Sequence, residues 1–238
     1  RHTLKNQVYD IRQNEQLRMK YWNHNFRTVF EYNLNDKDNL NLAYTGSFTP
    51  DQHSNSLTSG NYQASNVDKY VETRMHNVTL QYHSGSGFDV GGDYTRYTSD
   101  NNQTLSADYT EGGQSCFSII GGQKIDRYSI YADRKRSLGK EWNLSYGMSY
   151  RFAKDRDFQT YDKVVGDIQT ENTDSRLHEH TANVYVSLSK NYATGTSVSV
   201  SATGEYYTIG SYRKWAVYPQ ASLTYVKSPE HLFQFSLS

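Results

Sequence analysis

The residues in this sequence that could do chemistry are few. His178-Glu179-His180 puts two imidazoles on one face of a strand, a start on a metal site, but a third ligand is needed and the helical zinc signature is absent. A polar strand end is the plainer reading. Asp36 with Asp38, and Asp155 with Asp157, have the i, i+2 spacing of calcium loops but lack the loop glycine and closing glutamate, so they read as solvated turns. Arg134-Lys135-Arg136, with Arg127 nearby, could face a phosphate-rich head group or simply solvate a strand end. Asn77-Val78-Thr79, Asn102-Gln103-Thr104 and Asn143-Leu144-Ser145 match the glycosylation pattern but fall in or beside strands. The lone Cys116 excludes an internal disulfide and a multi-cysteine metal site. No phosphate-binding glycine loop, nucleophile elbow or Cys/His pairing is present. The chain reads as a non-enzyme with no cofactor and no metal.

Composition points elsewhere. Only 35% of the 238 residues are hydrophobic, yet 14% are aromatic, Tyr alone accounts for 22, and there are three prolines. Disordered chains are poor in aromatics and rich in Pro, so this balance argues against disorder. It suits a sheet with an apolar face and a wet face. Twenty-five basic residues against 25 acidic ones give no electrostatic case for nucleic acid. No apolar run is long enough for a membrane helix. The mean hydropathy of −0.86 is no argument against a barrel, because alternating strands average out hydrophilic.

Alternation with period two dominates the chain from about residue 17. Before that, Val8, Ile11 and Arg12 could belong to a short strand. Trp22, Phe26, Phe30, Tyr32 and Leu34 share a face; the turn Asn35 to Asp38 follows, then Leu40, Leu42, Tyr44 and Phe48, a hairpin. The clearest strand is 141–153, where Trp142, Leu144, Tyr146, Met148, Tyr150 and Phe152 alternate with polar or small residues. A dozen alternating residues exceed the ~5–6 of an ordinary strand and the ~9–11 that cross a bilayer at a tilt. The spacing predicts roughly twelve strands, near 21–34, 39–49, 70–83, 87–98, 103–110, 115–121, 125–134, 141–153, 177–190, 196–208, 214–227 and 231–238. They form an all-β antiparallel up-and-down meander in a single domain over 1–238, a transmembrane β-barrel or part of one.

Counted in order, these strands put the short turns at Asp36–Asp38, Ser84–Ser86, Glu111–Gln114, Leu138–Lys140, Asn191–Gly195 and Ser228–Glu230 at one end. The long polar connections 50–69 and 155–176 fall at the other. Short turns at one rim and long loops at the other is the asymmetry of bacterial outer-membrane barrels. Tyr21, Trp22, Trp142, Tyr150, Tyr206 and Trp215, with Tyr207 and Tyr212, lie towards strand ends, where aromatic girdles meet a membrane interface; stacking on a carbohydrate is the alternative. The start on Arg1 and the end on a still-alternating Phe233–Ser238 predict a stretch of a longer polypeptide.

From about residue 120 a further order emerges. Gly122-Gln123-Lys124-Ile125-Asp126-Arg127-Tyr128-Ser129 is followed by Ala132-Asp133, Leu138-Gly139-Lys140, Trp142 to Tyr150, and His180 to Ser189. Gly204-Glu205-Tyr206, Tyr218-Pro219 and Ser222-Leu223-Thr224-Tyr225 complete it. This series resembles the outer-membrane β-barrel family of Bacteroidetes, related to TonB-dependent receptors, in the second half by residues and in the first half by rhythm. The resemblance implies a bacterial outer-membrane location and lipid around the barrel. It also implies an N-terminal plug and an energy-coupling complex belonging to the full-length parent, and uptake of a small nutrient. A water-soluble surface adhesin or carbohydrate-binding β protein is the alternative.

Overall fold

The computed structural model describes residues 2–4, 7–9, 12–166, 170–193, 195–228 and 231–237. Among these, all regular structure is β. A small hairpin, β1 (His2–Leu4) with β2 (Gln7–Tyr9), stands apart from the main sheet. The main sheet holds eleven strands. They are β3 (Gln13–Lys20), β4 (His24–Asn33), β5 (Asn39–Gly60), β6 (Gln63–Ser84), β7 (Phe88–Tyr109), β8 (Gln114–Gly139), β9 (Trp142–Val165), β10 (Thr173–Asn191), β11 (Ser197–Ile209), β12 (Tyr212–Ser228) and β13 (His231–Leu237). From β5 to β13 each strand pairs antiparallel with the next, and β3 and β4 share the outer edge of β5, so eleven strands fill ten positions. Among the described residues, no ladder joins β13 to β3 or β4, and the sheet is open.

The meander expected from the sequence is therefore present, with a different segmentation. The segments 87–98 and 103–110 are one strand, β7, and 115–121 and 125–134 are one strand, β8. The gain of β1, β2 and β3 keeps the total close to twelve. The expected long loops 50–69 and 155–176 are corrected to strand. β5 and β6 run on to a turn at Asn61-Tyr62, and β9 and β10 leave only 166–172 between them. Because two strand pairs fuse, the Glu111–Gln114 turn moves to the opposite rim, beside Asn61-Tyr62 and Gly210-Ser211. What differs between the rims is strand overhang rather than loop length. Of the expected sequence features, Ile11, Thr194, Pro229, Glu230 and Ser238 lie outside the described residues.

Local chemistry explains the turns and the one large irregularity. Asn35 Oδ1 accepts from the amides of Lys37 (2.9 Å) and Asp38 (3.0 Å). Asp38 Oδ1 in turn accepts from the Gly85 amide (2.9 Å) and the Ser84 hydroxyl (3.0 Å), so two neighbouring turns are tied together. The β8–β9 turn has only Lys140 and Glu141 between the strands, both at positive φ, the backbone a two-residue hairpin turn demands. Register in the β5–β6 ladder shifts between Thr49 and Gln52, around Pro50, whose ring nitrogen has no hydrogen to give the ladder. Pro219 sits where β12 is free of β13, whose pairing begins at Ala221.

The described residues form no conventional core. The accessible surface is 17121 Å², against about 11,000 Å² for a compact monomer of this mass. Ala107, 6% exposed, is the one buried hydrophobic residue among those described, and none of them is a fully buried large side chain. The two faces are unequal: along β10, Val184, Val186 and Leu188 are exposed while Asn183, Tyr185 and Ser187 are half-buried. The same holds in β12, where Trp215 is 76% and Val217 72% exposed while Ala216 between them is half-buried. A flat single layer would expose both faces alike, so the sheet curls around its polar side.

Gly147 lies on that sheltered side, in register with Asp133 of β8 and Tyr185 of β10. An added Cβ would run into Asp133 Oδ1 and sit 2.8 Å from Tyr185 Cε1. Gly204, on the exposed side, would meet only a carbonyl oxygen at 3.9 Å. Gly147→Val should lower the stability of the purified protein by ~1–3 kcal/mol, and Gly204→Ala should change it by under ~0.5 kcal/mol. Urea unfolding midpoints of the two variants give the comparison; equal midpoints would show that the sheltered face is not crowded.

Candidate functional site: an apolar band outside, a polar wall inside

Register assembles what the sequence presents as scattered residues. One cross-strand row runs Phe30, Leu42, Leu80, Gly92, Ile130, Tyr150, Ala182, Tyr206, Trp215. The next runs Tyr32, Leu40, Tyr82, Val90, Ala132, Met148, Val184, Gly204, Val217. Both lie on the exposed face. Together with Leu144, Leu188, Val198, Val200, Leu223 and Phe235 on the same face, they make a continuous apolar band that the rest of the chain leaves open.

The girdle candidates separate into three places. Tyr150, Tyr206 and Trp215 come together on one row, with Tyr206 and Trp215 ring centroids 4.4 Å apart. Trp142 stands at the opposite edge of the band, where Lys190 Nζ lies 5.4 Å from its ring and 4.6 Å from that of Tyr192. Tyr21 and Trp22 occupy the break between β3 and β4, both about 60% exposed. Tyr207 is on the sheltered face, away from the band, and Tyr212 opens β12 beside it, their rings 6.4 Å apart.

A second aromatic row went unread in the sequence. Tyr94, Tyr128, Phe152 and His180 follow one another across β7 to β10, with centroids 4.7, 6.2 and 4.8 Å apart. Phe26, Tyr44 and Phe48 continue this edge of the band on β4 and β5, and the Phe26 and Phe48 rings close over Gly46. Each lies mid-strand, and only the pairing register brings them into line.

The sheltered face is polar and cross-linked. Ser129 donates to Asp93, and Arg127 Nη2 stands 3.8 Å from the same carboxylate. Asn77 Nδ2 donates to Thr95 (2.9 Å), His83 pairs with Asp89, and Gln123 Nε2 donates to Asp155 (3.2 Å). The side-chain oxygens of Asn41, Asn101 and Asn183 are buried there without a hydrogen bond from protein. Asp155 and Asp157, expected in a turn, lie in β9 on this face. Glu179 also faces this way, opposite His178 and His180, and no group of three metal-ligating side chains gathers among the described residues.

Beyond the band, β5 to β10 continue as paired hairpins held by polar contacts. His53 Nε2 meets Asp68 Oδ1 at 2.6 Å, and that hydrogen bond holds the Asp68 carboxyl below its ordinary value. Arg156 grips Asp174 with two bonds, Nε to Oδ1 at 2.8 Å and Nη2 to Oδ2 at 2.9 Å. This pair lowers the Asp174 carboxyl and raises the guanidinium. Asn172 Oδ1 accepts the Tyr161 amide (2.8 Å) at the end of the same hairpin.

No family model matches this sequence, and no curated protein matches it. Among solved structures the chain is similar to the ferric yersiniabactin uptake receptor of Yersinia pestis, at 11% identity and a TM-score of 0.45, covering 89% of this chain and 41% of that one. It is similar to the ferric preacinetobactin receptor of Acinetobacter baumannii, at 9% identity and 0.39, over 91% and 45%. For the β domain of the Bordetella autotransporter Brka the values are 10% and 0.36, over 92% of both chains. The chain thus spans less than half the length of the two receptors.

The Asp174 clasp has a pH signature. A carboxyl lowered in the fold stabilises it fully above the ordinary value of 3.8 and stops doing so as pH falls through the folded value. Asp174→Asn should therefore speed amide exchange in 156–176 near neutral pH, with the difference from wild type shrinking below about pH 4. Hydrogen exchange at several pH values reads this; a difference that persists unchanged at low pH would rule out the clasp.

Proposed function

We propose that this chain is barrel wall of an outer-membrane protein of the TonB-dependent receptor type, with lipid against its apolar band and water against its polar face. The observation carrying this reading is the inverted exposure: apolar side chains outermost, polar ones sheltered, with no second layer over the band among the described residues. From Trp142 to Phe152 the band covers about 33 Å of strand, or about 25 Å at the usual tilt, the height of the apolar belt of such barrels. Trp142 and Lys190 border it at one edge, and Tyr150, Tyr206 and Trp215 at the other, as girdle residues do. The buried amide oxygens of Asn41, Asn101 and Asn183 favour a wet lumen, since buried acceptors are nearly always satisfied.

In this orientation the tight turns at Asp38, Gly85 and Lys140 face the periplasm, and the overhanging hairpins of β5 to β10 face outward. The hairpins are the surface for recognising a small nutrient, and the polar face is the wall of its path. A plug and an energy-coupling complex complete the machine in the parent protein. The reading is of a binding and transport surface rather than an enzyme, in the bacterial outer membrane, and its Bacteroidetes affinity rests on the residue series from Gly122 to Tyr225.

The test is a pair of adjacent substitutions. Met148 is 62% exposed at mid-band and Ser149 is its neighbour on the polar face. Met148→Arg should cost ~2–4 kcal/mol for folding into lipid vesicles, while Ser149→Arg costs far less. A chain that is a monodisperse monomer in plain buffer, with Met148→Arg neutral there, would overturn the membrane reading in favour of a soluble β protein.

A further inference from the structure

Two hollows adjoin on the exposed face, at the edge of the band nearest the overhanging hairpins. The first, of about 590 Å³, is lined by Arg176, His178, His180, Thr208 and Arg213 above Tyr150 and Tyr206. The second, of about 430 Å³, is lined by Tyr128, Ile130 and Phe152 and shares Tyr150 and His180 with the first. One is cationic and hydrogen-bonding; the other is aromatic and aliphatic. Their boundary is the Tyr150 hydroxyl, 2.7 Å from His180 Nδ1. With Tyr150 donating there, His180 keeps a donor on Nε2.

The charge in the upper hollow is unbalanced. Asp174 is gripped bidentately by Arg156 and is only 3.4 Å from Arg176, so one carboxylate serves two guanidiniums. Arg213 has no ion-pair partner among the described residues, nor does Lys154, in register with His178. The other carboxylates of β10 and β11, Glu179 and Glu205, project to the opposite face. The floor is closed by the Gly210 amide, which donates to the His178 carbonyl (3.3 Å).

We propose that this pair of hollows binds a phosphate-bearing acyl lipid of the membrane, with its phosphate on Arg176 and Arg213 and its first acyl methylenes against Ile130 and Phe152. The inference rests on the membrane reading above. Cations just outside an aromatic row are where head-group phosphates lie in a bilayer, and the lower hollow opens on the side that reading gives to acyl chains. A soluble anion would have no use for the apolar half.

Native mass spectrometry of the folded, detergent-solubilised chain provides the test, with a bisphosphorylated acyl-diglucosamine lipid and its dephosphorylated form as probes. The phosphorylated form should be retained more strongly by a factor on the order of ten. Arg213→Gln, and more so the Arg176→Gln/Arg213→Gln pair, should remove that preference while leaving retention of the dephosphorylated lipid unchanged. Arg134→Gln, in register with Tyr146 and outside both hollows, should keep it. Equal retention of the two lipids, or loss in Arg134→Gln as large as in Arg213→Gln, would overturn the site but leave the membrane reading standing. Full displacement by millimolar inorganic phosphate would overturn it in favour of a free-anion site. A chain that takes up neither lipid and stays monomeric without detergent would bring down both.

Discussion

Backbone hydrogen bonds carry this chain from β3 to β13 without the support of a second layer. In a globular domain the ladder and the core share the task of fixing the fold; here the ladder does nearly all of it, and each face must suit the medium against it. That constraint accounts for the composition. Aliphatic residues are needed on one side of a belt only, and small or polar residues can fill the other. Tyr suits the edges, because one ring can meet an apolar surface with its body and water with its hydroxyl.

How much could be read in advance follows the same constraint. The strand at 141–153 was legible because both of its faces are specified, one apolar and one polar, for its whole length. The hairpin around Asn35 to Asp38 was legible for the same reason, helped by side chains that make their own turn bonds. The reading broke down at 50–69, 99–102 and 155–176, where the strands leave the band. There both faces are polar, the period of two vanishes from the sequence, and the ladder continues regardless. The gap expected at 122–124 lies inside β8, where Gly122 faces Phe158 of β9.

The candidate site was legible in kind and not in arrangement. Trp142, Tyr150, Tyr206 and Trp215 could be picked out as aromatics near strand ends. Their division between two edges, and the alignment of Tyr94, Tyr128 and Phe152 with His180, are properties of register, which one strand's sequence does not contain. The histidines of His178-Glu179-His180 illustrate this well. As a triplet they read as a polar strand end, with a metal the lesser reading; with Arg176 beside them on β10, and Lys154 and Arg213 brought alongside by β9 and β12, they form one bank of a cationic hollow.

The bulge at Pro50 has an effect that reaches well past its own residues. Below it, the even-numbered residues of β5, such as Gly46 and Phe48, share a side with Phe26 and His76; above it, the odd-numbered His53 and Asn55 have taken that side, facing Tyr70 and Asp68. The strand has changed phase. β3 and β4 break at Tyr21–Asn23 where their partner does so, and each then follows its own half of β5. β5 thereby uncouples the side-chain phase of its overhanging end, and of β3 beside it, from the half that carries the apolar band, while the neighbouring β6–β7 ladder runs through both with no shift.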